Sequence, residues 1–116
     1  MFKSVAYIGL DGQPELKMKA EQLTSVLASE IHRGREDVEV RWSLDSAKPE
    51  TLNMTLSLTL PNGVAGSGFG TFSPKDLAED WRVRSRCRGV WSHLLGGLLK
   101  KQDERVKESL FESAEV

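Results

Sequence analysis

A run of alternating side chains, followed by a strand rich in glycine, most constrains the fold. Residues 52–60 read LNMTLSLTL, in which five apolar residues alternate with four small polar ones. A period of two places the apolar side chains on one face of a β-strand and is not a helical pattern. Residues 64–72 read VAGSGFGTF, with glycine at every second position in Gly66, Gly68 and Gly70. The two segments together predict a β-hairpin.

The turn between these segments decides which face of the hairpin carries the glycines. Its sequence is LPNGV, with proline at the second turn position and glycine at the fourth. That order favours a type I turn followed by a left-handed glycine bulge, which pairs Leu60 with Val64 and places the glycines on the core face. The missing side chains then leave room for a helix to pack closely. A two-residue Asn-Gly turn is the alternative, and it would move the glycines to the solvent face.

The first half of the chain contains two further strands and a helix. Residues 2–9 predict the first strand, and residues 37–45, with alternating apolar side chains, predict the second. Between them a helix begins at Pro14 and ends before Gly34, because proline suits a first helical turn and glycine suits a C-terminus. The apolar stripe of this helix comprises Leu16, Ala20, Leu23, Leu27 and Ile31.

The last part of the chain is predicted to be helical. Ser73, Pro74 and Asp76 form an N-terminal capping pattern, and apolar residues then recur at helical spacing. A glycine weakens a helix by about 1 kcal/mol relative to alanine, so Gly89 predicts a bend or break in this region. The tryptophans expected in the core are Trp42, Trp81 and Trp91.

The predicted order of elements is β-α-β-β-β-α. The three later strands form an antiparallel meander, and helices on one face of that sheet make a two-layer α+β sandwich. A chain of 116 residues is long enough for a single domain of this kind. We place the domain at residues 1–111 and a frayed tail at residues 112–116.

Composition places the chain among ordinary globular proteins. The net charge is −1 and the charged content is 28%, so no bulk charge indicates a nucleic acid or a membrane surface. The single cysteine, Cys87, cannot form a disulfide within the chain, which fits a reducing cytosol. No apolar stretch is long enough for a bilayer span or a signal peptide. We therefore expect a cytoplasmic protein without a membrane partner.

No motif in the sequence indicates an enzyme. The GSGFG segment lacks the Lys-Ser/Thr of a phosphate loop and has Thr71 where a dinucleotide fingerprint needs its third glycine, so close packing is the favoured interpretation. His32, His93 and Cys87 have no neighbours at metal-ligand spacing, and a lone cysteine is more often a buried apolar residue than a nucleophile. We expect no catalytic residues, no metal and no cofactor.

The strongest chemical signal is a basic stretch in the last helical region. Only Asp103 and Glu104 oppose its eight basic residues. The arginines at every second position in residues 82–88 form two rows on a helix, and such rows can hold phosphates on neighbouring turns. The alternative is a solvated face in which these arginines pair with Glu79 and Asp80. The basic residues are Arg82, Arg84, Arg86, Arg88, Lys100, Lys101, Arg105 and Lys107.

This order of elements, with a mid-chain hairpin and a long basic final helix, resembles the ribosome hibernation-promoting factor and ribosome-associated inhibitor family. The segment LNMTLSLTLPNGV (residues 52–64) is similar to the strand–glycine turn–strand of that family, and LLKKQDERVK (residues 98–107) is similar to its lysine-rich helix end. The resemblance implies binding to ribosomal RNA of the small ribosomal subunit, which blocks translation without any reaction. The residues it implies are Lys100, Lys101, Arg105 and Lys107, with Lys17, Lys19 and Arg33 on the first helix.

Two functional hypotheses of different classes follow. The first is an RNA-binding or ribosome-binding domain that acts through the basic final helix. The second is a protein-interaction or self-associating domain, in which the exposed hairpin edge or the apolar C-terminal helix pairs with a partner, either another protein or a second copy in a homodimer. The same topology without its first strand also describes double-stranded RNA-binding domains, but those need a lysine cluster at the start of the final helix, where this chain has only Lys75.

Overall fold

The computed structural model describes residues 2–31, 34–48 and 50–114, with side chains through Gln102. A short 3-10 turn, Arg35–Asp37, precedes the second strand. The strands are β1 (Ser4–Ile8), β2 (Val38–Leu44), β3 (Leu52–Thr59) and β4 (Ala65–Phe72), and the helices are α1 (Pro14–Glu30), α2 (Pro74–Leu77) and α3 (Asp80–Ala114).

The four strands form one sheet in the order β1-β2-β3-β4. The three later strands are an antiparallel meander, whereas β1 pairs in parallel with β2. The sheet is therefore mixed, because α1 carries the chain back across the sheet between β1 and β2. Both long helices cover the same face, and the two-layer α+β prediction is confirmed.

Helix α1 lies over the β1 side of the sheet and α3 over the β4 side. The indole N–H of Trp42 in β2 donates a 2.8 Å hydrogen bond to the hydroxyl of Thr24 in α1, and the Lys17 ammonium lies 5.9 Å from the Tyr7 ring centre of β1. Apolar residues from both helices and all the strands enclose one core. No helix among the described residues covers the opposite face of the sheet, where the side chains are mostly small and polar.

The β3–β4 hairpin has the bulged turn that the sequence predicts. The N–H of Leu60 donates to the carbonyl of Val64 at 2.8 Å, and Gly63 has a φ of 87°, in the left-handed region that favours glycine. The register places Gly66, Gly68 and Gly70 opposite Leu58, Leu56 and Met54. The glycines therefore lie on the core face, as predicted.

These strand glycines let α3 rest on the backbone of β4. A Cβ atom on Gly68 would lie 2.8 Å from the carbonyl oxygen of Val90, and one on Gly66 would lie 2.7 Å from Cγ of Leu98. Real Cβ contacts are longer than this, so a side chain at either position would force the helix away from the sheet. The close approach explains why this strand has glycine at every second position.

The helical region begins at the predicted cap but is interrupted at a different place. The Ser73 hydroxyl accepts from the N–H of Asp76, and the Asp76 carboxylate accepts from the N–H of Ser73. The predicted break near Gly89 is wrong, because α3 is continuous over 35 residues. The interruption lies at residues 78–79, between α2 and α3. Packing of the α3 apolar residues against β4 outweighs the helix propensity that the glycines lose.

This interruption also changes the position of one predicted core residue. Trp42 is fully buried beside Phe72, and Trp91 is partly buried. Trp81 is 65% exposed, contrary to the prediction. Since α2 ends at Leu77, the helical spacing from Leu77 does not carry over to Trp81, and the side chain turns outward.

Candidate interaction surface

Two of the four arginines in residues 82–88 face α1. Arg88 Nε lies 2.6 Å from Oε2 of Glu30, and Arg84 Nη1 lies 3.3 Å from Oε1 of the same carboxylate. The hydrogen bond from Arg88, more than any other contact, lowers the pKa of the Glu30 carboxyl. Arg84 also bonds Asp80 at 2.8 Å. These contacts fix the end of α1 to α3.

The other two arginines lie on the opposite flank of α3 and are also paired. Arg82 Nε lies 2.6 Å from Glu79 Oε2, and its guanidinium lies 5.2 Å from the centre of the exposed Trp81 ring. Arg86 Nη2 lies 3.5 Å from Oδ1 of Asp76. All four arginines thus have a carboxylate of the same chain beside them. This arrangement fits the predicted solvated face better than it fits a row of free arginines that binds phosphates.

The remaining predicted site residues do not form one surface. Lys100 is exposed, and the Lys101 ammonium donates to the carbonyl of Ala65 at 2.8 Å. Lys17 and Lys19 belong to α1, which lies over the β1 side of the sheet, whereas Lys100 and Lys101 belong to α3 over the β4 side. Arg33 lies outside the described residues, as do the side chains of Arg105 and Lys107.

The free edge of β4 is a second candidate interaction surface. In an antiparallel ladder alternate residues turn their N–H and C=O groups toward the neighbouring strand. The bond between Leu60 and Val64 sets this alternation, so the main-chain groups of Ser67, Phe69 and Thr71 point away from β3. Within the part of the chain that the structure describes, no group bonds to these outward donors and acceptors.

The residues of β4 itself lack the features that usually protect an edge strand. Its eight residues, AGSGFGTF, include no proline and no charged side chain, and its pairing with β3 is continuous from Ala65 to Phe72. Natural proteins commonly cover, bend or charge such edges because they pair readily with other strands. Lys101 covers only the outward carbonyl of Ala65. Phe69, 62% exposed, lies on the open sheet face beside this edge.

One flank of α3 overhangs the same edge. Val90 and Leu94 contact β4, and Arg84 and Arg88 face α1, so the stripe on the opposite side from α1 lies beside the edge of the sheet. We call this stripe the edge flank; its members recur at steps of four and three residues, which is helical spacing. The edge flank comprises Arg82, Arg86, Gly89, His93, Gly96 and Lys100.

The glycines of the edge flank have no role in the packing of the chain itself. A Cβ atom on Gly89 or Gly96 would meet nothing within 4 Å, in contrast to the strand glycines. Each glycine weakens an exposed helix by about 1 kcal/mol relative to alanine. The sequence predicts Gly89 only as a helix breaker, whereas the structure places Gly89 and Gly96 on a shallow flank beside a free strand edge.

The described residues near this surface include neither an exposed cysteine nor a cluster of metal-ligating side chains. Cys87 is buried, and burial raises the pKa of its thiol to about 12, so it is not a reactive thiolate. Among the described residues no three His, Cys, Asp or Glu side chains are grouped to hold a metal. Those residues also form no helix that is both long and apolar enough to cross a membrane.

Comparison with known proteins gives this chain no relative: no family model, no curated protein and no solved structure matches it.

Proposed function

We propose that this chain is a non-enzymatic protein-interaction domain that binds its partner by accepting a strand at the edge of β4. The observation that carries the proposal is the outward main chain of Ser67, Phe69 and Thr71, three alternate positions on a regular edge strand to which no described residue bonds. A strand that presents such groups recognises another extended chain through main-chain hydrogen bonds.

Helix α3 supports the edge strand from the core face. Helix α3 packs on the inner face of β4 without intervening strand side chains, since Gly66 and Gly68 lie directly beneath Leu98 and Val90. A strand fixed in this way loses little conformational freedom when it pairs, and lower ordering cost strengthens binding. The exposed ring of Phe69 offers apolar contact area next to the same hydrogen-bonding groups.

RNA binding, with a translation-silencing role on the ribosome, remains a second prediction with weaker support. Phosphate would have to compete with the carboxylates that already hold the arginines. Releasing Arg84 and Arg88 would leave Glu30, whose side chain is only 11% exposed, without its cations. The exposed Lys100 is the described cation that best fits this prediction.

Proline substitution at the edge tests the proposed function. Ser67→Pro removes an outward N–H without breaking a bond to β3, and edge strands tolerate proline at such positions. Ser67→Ala keeps the N–H and is the matched control. Tagged wild type, S67A and S67P are expressed in cells of the source organism, and bound polypeptides, including untagged copies of the chain, are identified after crosslinking.

We expect at least one polypeptide that wild type and S67A retain and S67P loses. Recovery of the same polypeptides by all three proteins, or of RNA alone, would overturn the proposal. Circular dichroism of S67P checks that the fold is intact.

A further inference from the structure

We infer that the strand accepted by β4 is β4 of a second copy, so that two chains form one continuous eight-stranded sheet. This inference rests on the proposed function and names its partner. The two β4 strands pair antiparallel about a two-fold axis at Gly68.

The alternation of main-chain groups fits this axis. Pairing about Gly68 places Ser67 opposite Phe69 of the second copy and Ala65 opposite Thr71 of the second copy. Each of these positions points outward from its own sheet, so donors meet acceptors on both sides of the axis. Each Phe69 ring then lies across from the small side chain of Ser67, which avoids a direct clash of two rings on the open face.

The position of α3 gives a role to Gly89 and Gly96, which the packing of a single chain does not require. Because α3 rests directly on β4, pairing the two strands brings the two α3 helices side by side and antiparallel. Neighbouring strands lie about 4.8 Å apart, whereas helix axes normally need about 8–10 Å. The two helices would therefore clash unless the residues that face each other are small.

Two small residues of the edge flank, Gly89 and Gly96, lie on either side of the height where this meeting occurs, with the exposed His93 between them. Gly68 lies beneath Val90 and Leu94, so the axis passes α3 near these residues. An antiparallel partner centred there brings Gly89 of one helix toward Gly96 of the other. A single added peptide strand would bring no helix and would leave these glycines unexplained, which favours a second copy over a peptide.

The ion pairs of α3 also permit two edge flanks to approach. Arg82 and Arg86 are each neutralised by a carboxylate of their own chain, Glu79 and Asp76. Without these acids the flanks would be strongly cationic and would repel each other. These ion pairs weaken the case for a phosphate partner. By lowering the charge of the edge flank, they also favour contact between the edge flanks of two copies.

Sedimentation velocity over a concentration series tests the inference. Gly89→Leu and Gly96→Leu place bulk on the edge flank while improving helix propensity, so neither variant is expected to unfold. Ser92→Leu adds the same side chain at an exposed position of α3 outside the flank and is the matched control. We expect wild type, S67A and S92L to dimerise. The glycine variants and S67P should weaken the dimer by about tenfold or more.

A mixed-disulfide experiment tests the register. The paired Cα atoms of Ser67 and Phe69 of the second copy would lie about 5.5 Å apart, within reach of a disulfide. A mixture of S67C and F69C is expected to form a crosslinked dimer under mild oxidation, and S67C alone is expected to crosslink poorly. Native Cys87 does not interfere, since it is buried.

Three results would overturn the inference. One is a wild-type chain that stays monomeric at every concentration, and another is a dimer that S67P and the glycine variants leave unchanged. The third is a dimer lost on Leu99→Glu alone, because Leu99, 67% exposed, lies on α3 outside the edge flank. A monomeric chain that still retains another polypeptide in an S67P-sensitive manner would end the inference and leave the proposed function standing.

Discussion

Arg88 donates a 2.6 Å hydrogen bond from Nε to Oε2 of Glu30, although 58 positions separate the two residues in the chain. The Glu30 side chain is 11% exposed and that of Arg88 is 66% exposed. A nearly buried anion at the end of α1 therefore holds a cation that the sequence alone suggests for a polyanionic partner. Arg84 shares the same carboxylate, so the basic stretch contributes to the fold.

Replacing Glu30 with glutamine is expected to lower the midpoint of thermal unfolding at neutral pH, because Arg84 and Arg88 lose their carboxylate. The Glu30 pKa lies below its ordinary value of 4.5, chiefly through the bond from Arg88. A lowered folded-state pKa gives stability that is present above the unfolded-state value and lost as the pH falls through the folded-state value. Unfolding midpoints of wild type and E30Q should converge as the pH falls below 4.5. A constant gap across that range would argue against the ion pair.

Gly68→Val is expected to destabilise the fold by about 1–3 kcal/mol through overpacking. The obstacle is the backbone carbonyl of Val90, which cannot move without displacing α3. Gly89→Ala, at an open helical position, is the matched control and should stabilise the isolated chain by up to about 1 kcal/mol. Chemical denaturation measures the free energy of unfolding of both variants. Equal stabilities would mean that the packing of α3 does not depend on the strand glycines.

Ser73→Ala is expected to lower the free energy of unfolding by about 1 kcal/mol, because Ser73 caps α2 through the N–H of Asp76. Ser85→Ala, at an exposed position on α3, serves as the control and should have little effect. Urea denaturation measures both. A loss no greater for S73A than for S85A would show that the cap contributes nothing to stability.

The RNA-binding prediction has an independent test in charge reversal of Lys100, Lys101 and Arg105. The triple variant should lose any co-sedimentation with ribosomal particles and keep its fold, since phosphate contacts need cations. Binding by wild type should also weaken steeply as salt rises. Co-sedimentation that survives the charge reversal but disappears in S67P would point to a ribosomal protein at the β4 edge instead.

Cys87 is expected to react slowly with iodoacetamide in the folded protein and rapidly in denaturant. Burial raises its thiol pKa from 9.0 to about 12, and the reactive species is the thiolate. Because the folded-state value is raised, this group favours the folded state below pH 9.0 relative to more alkaline conditions. Mass spectrometry of labelling time courses measures the rates, and equal rates in both states would show that the thiol is accessible.

Local patterns in the sequence were sufficient to predict the hairpin in detail. The turn residues from Leu60 to Val64 fix the register through the conformations that proline and glycine allow, and that register alone assigns the strand glycines to the core. The Ser73 cap is likewise a pattern within four residues. Each of these features depends on neighbours along the chain.

Features that join distant residues could not be predicted in the same way. Nothing near Arg88 in the sequence indicates that Glu30 lies beside it, because that contact exists only once α1 and α3 have packed. The exposure of Trp81 depends on the interruption after α2, which propensities placed near Gly89. The edge flank could have been anticipated only from the spacing of Gly89, His93 and Gly96, and its relation to β4 needs the tertiary structure.

The seating of α3 on β4 limits how the helix can slide. Vacant positions along the strand repeat about every 6.8 Å, and Val90, Leu94 and Leu98 repeat about every 6 Å along the helix axis. The two spacings nearly match. Successive apolar side chains of α3 therefore occupy the successive spaces that the glycines leave on β4. Small longitudinal shifts would drive those side chains onto peptide groups, and α3 can therefore change position only by about one whole turn at a time.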